Sequence, residues 1–267
     1  FNIKRNESKI MKKARIKDLK EKKKLVCLTA YTAPMAELID NFTDIILVGD
    51  SLGPVLYGYK TTREVSLDMI INHAKAVVKK SKTSFVVVDM PYGTYEHSKS
   101  TALRNAKKII KDSGADAVKL EGGEKICKII HHLTKNKIKV MGHLGMLPQS
   151  IKSKPTVYGK KKNEKLQIIK DLESIEKAGV FAIVIECTLE SLVKKLIEIK
   201  TVPLIGIGAS KECEGQILVT EDILGITKFK SRFLKKYMNF NSSAKDAIAK
   251  FSKDVNNCKY PAKKHCY

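Results

Sequence analysis

Residues 45–53 read Ile45-Ile46-Leu47-Val48-Gly49-Asp50-Ser51-Leu52-Gly53, an apolar run rich in β-branched residues that stops abruptly on a carboxylate and a hydroxyl. A continuous apolar run of this length is the mark of a buried parallel strand, and α/β enzymes keep their chemistry at the carboxyl ends of such strands. The pattern is repeated at Phe85-Val86-Val87-Val88-Asp89, Ala117-Val118-Lys119-Leu120-Glu121, Val140-Met141-Gly142-His143 and Ala182-Ile183-Val184-Ile185-Glu186. Each run ends on an ionisable residue.

Shorter apolar runs at 26–30, 202–205 and 216–219 bring the strand candidates to eight. Helical patterns lie between them at 33–41, 67–80, 101–112, 125–133, 164–178 and 189–199, with another at 232–251. Eight strands alternating with helices over about 200 residues predict a closed (βα)8 TIM barrel rather than an open doubly wound sheet. The rival rests on Gly206-Ile207-Gly208, which lacks the third glycine of a dinucleotide loop because Lys211 stands there. Tight strand-to-loop packing accounts for these glycines more simply. The expected organisation is a basic N-terminal extension or capping helix over 1–24, then a single-domain barrel with a C-terminal helical tail over 25–267.

The chain has 267 residues, 43% of them hydrophobic, enough for one large core. Its formal charge of +23 invites a nucleic-acid reading, yet only Arg5, Arg15, Arg63, Arg104 and Arg232 supply the guanidinium suited to bidentate contacts. The remaining basic residues are lysines spread along helix faces without interleaved aromatics, so no specific nucleic-acid partner is expected. No apolar run approaches the roughly 18 residues of a membrane span. Cys27, Cys127, Cys187, Cys213, Cys258 and Cys266 form no CxxC pair and read as free thiols, with a bridge near the C-terminus left open. Cys258, His265 and Cys266 read as a tail grouping, not a metal site. Residues 1–24 lack the apolar stretch of a secretory signal, Met11 is a candidate start residue, and cytoplasm is the expected location.

If the strand ends converge on one barrel mouth, Asp50, Asp89 and Glu121 offer hard oxygen ligands suited to Mg²⁺. A lone strand-end Asp is as readily a helix cap, but three acids together make that reading less economical. Alternation along its strand puts Lys119 on the same side as Glu121, where both can face one anion and its metal. Glu186 closes the most apolar strand, where a desolvated carboxylate suits a general base; a buried salt bridge is the alternative.

Several blocks together resemble ketopantoate hydroxymethyltransferases: Val48-Gly49-Asp50-Ser51-Leu52-Gly53, Asp89-Met90-Pro91, Val118 to Gly123, Gly142-His143-Leu144-Gly145 with Pro148-Gln149-Ser150, Glu186-Cys187, and Ile205 to Ala209 with Gly215 to Val219. The resemblance covers about residues 25–237. It implies an enzyme that transfers a hydroxymethyl group from 5,10-methylenetetrahydrofolate to 3-methyl-2-oxobutanoate, giving 2-dehydropantoate for pantothenate and coenzyme A synthesis. It implies Asp50, Asp89 and Glu121 as Mg²⁺ ligands, Ser51 and Lys119 with Asp50 and Asp89 as contacts to the oxo acid, and Glu186 as proton acceptor. His143 becomes a pocket residue without an assigned role. Metal-assisted enolisation of the oxo acid is the implied mechanism, and a homo-oligomer, a decamer among the assemblies it suggests, the implied state.

The chain departs from the family pattern at Thr32 and Glu221, where Asp and His are usual, and over 151–159, where a Gly-Gly-Tyr-Lys segment is usual. The nearest alternative function is a Mg²⁺-dependent carbon-carbon lyase of 2-oxo acids, of the phosphoenolpyruvate mutase and isocitrate lyase kind. That group uses a cysteine in a lid motif, and no cysteine here has such surroundings. A basic nucleic-acid-binding protein has only the charge in its favour.

Overall fold

The computed structural model describes residues 16–151 and 156–267. The candidate start at Met11 and the centre of the 151–159 departure lie outside the described residues. The chain divides into two compact units, the first ending at Leu218 and the second running from Val219 to Tyr267.

The first unit is a closed barrel of parallel strands in sequence order: β1 (Leu25–Thr29), β2 (Ile45–Val48), β3 (Phe85–Asp89), β4 (Ala117–Glu121), β5 (Val140–Gly145), β6 (Ala182–Glu186), β7 (Leu204–Ile207) and β8 (Gly215–Leu218), with β8 returning to pair with β1. A short helix, α1 (Ile16–Glu21), precedes β1. Its Leu19 is buried in the cluster formed by Leu25, Cys27, Ile45 and Phe85.

Helices α2 (Ala33–Ile39), α3 (Leu67–Lys80), α4 (Lys99–Ser113), α5 (Cys127–Lys135), α6 (Lys162–Lys177) and α7 (Glu190–Ile199) follow β1 to β6 in turn. Their starts and stops obey local chemistry. Ser66 accepts a hydrogen bond from Met69 N–H at the start of α3, and Gly114 in the left-handed region closes α4. Thr32, the first departure from the family pattern, caps α2 by accepting from Met35 N–H.

Strand alternation sorts the side chains into two cores. Ile46, Val48, Val86, Val88, Val118 and Leu120 face the helices, joining Ile70, Ala74, Val77 and Ile109. Leu25, Cys27, Ile45, Leu47, Phe85, Val87, Ala117, Met141, Val184 and Ile205 form the second cluster, filling the barrel. The inward rows continue upward to Asp89, Lys119, Glu121, His143 and Glu186, so the inward positions that are apolar low in the barrel turn ionisable at its carboxyl end. β5 runs to Gly145, two residues past the apolar run read as Val140 to His143. Its ladders, Glu121 against His143 and Gly145 against Glu186, keep His143 within the strand.

The second unit holds a single-turn helix, α8 (Thr220–Ile223), and α9 (Phe240–Asn256). The sequence pattern predicted helix from 232, but α9 begins eight residues later. Tyr237 N–H and Phe240 N–H donate to the carbonyls of Ile223 and Leu224, while the Asn241 side chain donates to those of Gly225 and Ile226. These bonds hold 237–241 along the turn after α8, and backbone donors used there are lost to an earlier helix start. All six cysteines are free, including the exposed Cys258 and Cys266. No helix among the described residues is long and apolar enough to cross a membrane.

Candidate active site

The upper end of the barrel gathers every residue named as a site candidate. Asp50, Asp89, Lys119, Glu121, His143 and Glu186 are all buried, and Ser51 is half-buried beside them.

Asp89 is the hub on β3. Its Oδ2 accepts from the Asp50 backbone N–H at 3.0 Å, and its Oδ1 lies 2.8 Å from Lys119 Nζ. Gly49 occupies the inward position below this contact, where an added Cβ would come within 3.4 Å of Asp89 Oδ2 and 2.9 Å of Ser51 Oγ. Its missing side chain leaves the room that Asp89 fills. Ser51 Oγ shares a hydrogen bond of 2.7 Å with Tyr31 Oη, which fixes the hydroxyl from the β1 side.

A second string runs through β4, β5 and β6. His143 Nδ1 lies 3.4 Å from Glu121 Oε1 and 3.2 Å from Lys119 Nζ, and Nε2 lies 3.2 Å from Glu186 Oε2. Burial and the Lys119 ammonium oppose charge on the ring, but carboxylates at both nitrogens outweigh them and raise its pKa to about 9. The two carboxylates thus favour the charged form of the ring, which stands between Glu121 and Glu186. Burial also opposes the charge on Lys119, and the facing Asp89, Glu121 and Asp50 restore it, so the ammonium is held charged. Asp50 is driven the other way: burial first, then the negative charges of Asp89 and Glu121, raise its pKa to about 8.

Crowded carboxylates with one member pushed toward its neutral form make a place where added positive charge is stabilising. Among the described residues no group of three His, Cys, Asp or Glu side chains forms a ready-made metal cage. Mg²⁺ does not require one, since it commonly takes one or two carboxylates and completes its shell with substrate oxygens and water. The donors fit a hard cation. The contacts on Asp89 Oδ1 and Glu121 Oε1 are ion-pair approaches rather than aligned hydrogen bonds, so these buried oxygens keep capacity to coordinate.

Two residues without a sequence-assigned role complete the site. Gln149, buried in the turn after β5, donates to Asp50 Oδ2 at 2.8 Å. Tyr95, buried in the loop after β3, bonds both Gln149 and the Glu121 backbone. Gln149 stands in one of the motif blocks; Tyr95 lies in a loop with no periodicity to announce it. Burial and then the Glu186 charge push the thiol of Cys187, next to Glu186, up to about 11, away from the thiolate form that a nucleophile needs.

A closed barrel with an acid, lysine and histidine cluster at the carboxyl ends of its strands defines a (βα)8-barrel enzyme. The model of the family "Ketopantoate hydroxymethyltransferase" matches residues 11–263. A 3-methyl-2-oxobutanoate hydroxymethyltransferase of Pelagibacter ubique is 51% identical over 93% of this chain and 96% of its own length, and one of Rhizobium etli 47% identical over 95% and 94%. The chain therefore belongs to the ketopantoate hydroxymethyltransferase family and is an enzyme of that family. Among solved structures, a phosphonopyruvate hydrolase in complex with oxalate and Mg²⁺ matches with TM-score 0.59 at 12% identity, covering 91% of this chain and 88% of that one. An oxaloacetate acetylhydrolase matches with TM-score 0.60 at 11% identity, covering 89% and 84%. At such identities the likeness is one of fold alone.

Proposed function

We propose that this enzyme transfers a hydroxymethyl group from 5,10-methylenetetrahydrofolate to 3-methyl-2-oxobutanoate, forming 2-dehydropantoate. The observation that carries the reading is the convergence of Asp50, Asp89, Lys119, Glu121, His143 and Glu186 in one buried cluster, in a chain of this family. Asp50 and Asp89, with Glu121 behind them, are the donors that would hold Mg²⁺. When bound, the cation supplies Lewis acidity to the 2-oxo acid head of the substrate.

The protein's own groups do the rest. Lys119 holds positive charge against the substrate carboxylate, and Ser51, steadied by Tyr31, hydrogen-bonds the same oxo acid. Glu186 takes the C3 proton. The ring of His143 stands between the Glu186 carboxylate and that of Glu121, fixing the base relative to the acid cluster. Enclosure of this site strengthens each electrostatic contact compared with water. The nucleophilic C3 then attacks the one-carbon unit carried by the folate as its iminium, and water displaces the folate nitrogen from that carbon, supplying the hydroxyl and releasing tetrahydrofolate. The same reading makes the enzyme a cytoplasmic homo-oligomer.

The test is tetrahydrofolate-dependent deuterium incorporation from D₂O at C3 of 3-methyl-2-oxobutanoate, with Mg²⁺ or EDTA, in wild type and Glu186→Gln. Exchange that needs the metal and collapses in the variant is expected. Wild type without exchange or 2-dehydropantoate, given all substrates, refutes the assignment.

A further inference from the structure

Gln149 joins four of the segments that build the mouth, and no step above uses it. It is only 2% exposed. Its side-chain nitrogen donates to Asp50 Oδ2 at 2.8 Å and to the Met90 carbonyl at 3.0 Å, occupying both N–H groups. Its Oε1 accepts from Tyr95 Oη at 2.9 Å, and its backbone N–H donates to Glu121 Oε2 at 3.0 Å.

The partners fix which way the amide points. The Met90 carbonyl can only accept, so the amide nitrogen must face Met90 and with it Asp50 Oδ2. Tyr95 Oη accepts the Glu121 backbone N–H at 3.1 Å, and its one hydrogen faces two acceptors, Gln149 Oε1 at 2.9 Å and the Glu121 carbonyl at 3.1 Å, the nearer being Gln149. A buried network satisfied in this way has little freedom.

We infer that Gln149 is a positioning residue for the reaction: its side chain fixes the Asp50 carboxylate and its main chain fixes the Glu121 carboxylate, so one residue sets two acids from the strands on either side of β3. It does so without a charge. A lysine or arginine at this place would also hold Asp50, but its cation would compete with a divalent ion for the same oxygens, whereas an amide leaves the acidity of the cluster intact. This inference rests on the cation-binding reading given above.

The experiment uses Mn²⁺ alone as probe, its free concentration read by electron spin resonance, on the full chain without substrate. Gln149→Met keeps the volume and the main-chain N–H but removes the amide. The Mn²⁺ dissociation constant is expected to rise on the order of 10–100-fold, as for loss of a group that orients a metal ligand. The deuterium-exchange rate should fall with it. Tyr95 Oη also bonds the Glu121 main chain, so the second variant is Gln149→Leu, which likewise keeps the main-chain N–H and removes the amide; it is expected to weaken Mn²⁺ binding in the same direction and decides the question if Gln149→Met does not fold. A variant that melts earlier yet binds Mn²⁺ like wild type makes Gln149 a packing residue and overturns the inference. Wild type that binds Mn²⁺ and turns over while both variants bind as tightly overturns this inference alone. Wild type that neither binds Mn²⁺ nor forms product overturns the functional reading with it.

Discussion

Lys119 and Asp89 are partners twice over: their Cα atoms are opposed in the β3–β4 ladder, and Lys119 Nζ lies 2.8 Å from Asp89 Oδ1 with both side chains buried. The ladder sets the side chains side by side on the inner face, so strand register alone brings the charges together. Lys119→Met leaves Asp89 without its nearest cation and removes positive charge from beside Asp50 and Glu121. Breaking a buried pair from one side costs about 3–5 kcal/mol, which urea unfolding would measure. Lys119→Met combined with Asp89→Asn removes the stranded charge and should recover most of that stability but none of the turnover. A single variant as stable as wild type would refute this account.

The bridge from His143 to Glu121 and Glu186 predicts a pH signature. A base whose folded pKa is raised adds stability that is fully present below its unfolded value, near 6.5, and is lost as pH rises through about 9. The contribution is on the order of 3 kcal/mol, taking 1.36 kcal/mol per unit. Wild type should therefore lose stability between pH 6.5 and 9 relative to His143→Asn. Urea midpoints measured across this range in both proteins check it, and parallel curves would contradict it.

Most of this arrangement is legible in the chain because it follows from a period of two. The residues at 117, 119 and 121 face one way, so a buried Ala117 places Lys119 and Glu121 in the mouth before any coordinates are seen. The same rule applied to β2 points Asp50 away from the interior, with Ile46 and Val48. What brings it to the site is the turn after the strand, where its backbone N–H reaches Asp89 Oδ2. Gln149 and Tyr95 escape the pattern for another reason. Gln149 bonds Asp50 across 99 positions and Tyr95 across 54, and no local rule encodes such pairings. The start of α9 was misplaced by contacts of the same kind, carbonyls of one turn capturing the amides of another.

Asp40 does for the opposite end of the barrel what the ion pairs do for the mouth. Its carboxylate accepts from the backbone N–H groups of Lys82, Thr83 and Ser84, fixing the entry to β3. Burial works against the charge, but these donors prevail and hold the pKa below its ordinary value. A carboxylate of this kind adds stability above its unfolded pKa, and the gain disappears as pH falls through the lowered folded value. Asp40→Ala leaves the amides without their acceptor and should cost about 2–3 kcal/mol at pH 7. Turnover per folded molecule should stay at the wild-type level. The stability difference should shrink on acidification, and one that stays constant down to pH 2 would argue against the carboxylate as the source.

Gly145 is the residue through which backbone geometry reaches the proposed base. It ends β5 at φ +85, a region open to glycine and strained for other residues. A Cβ there would sit 2.2 Å from the Glu186 carbonyl oxygen and 2.4 Å from Thr188 Oγ1, while Met146 N–H donates to that same carbonyl at 2.9 Å. Gly145→Ala must therefore separate β5 from the end of β6, moving Glu186 away from His143. Strain at positive φ and the backbone clash together should cost roughly 2–4 kcal/mol. Because displacement of a reacting group by about 1 Å can cost 10²-fold in rate, deuterium exchange at C3 should fall by that order even below the melting temperature. Exchange at the wild-type rate in a folded Gly145→Ala protein would show that the end of β6 does not set the position of the base.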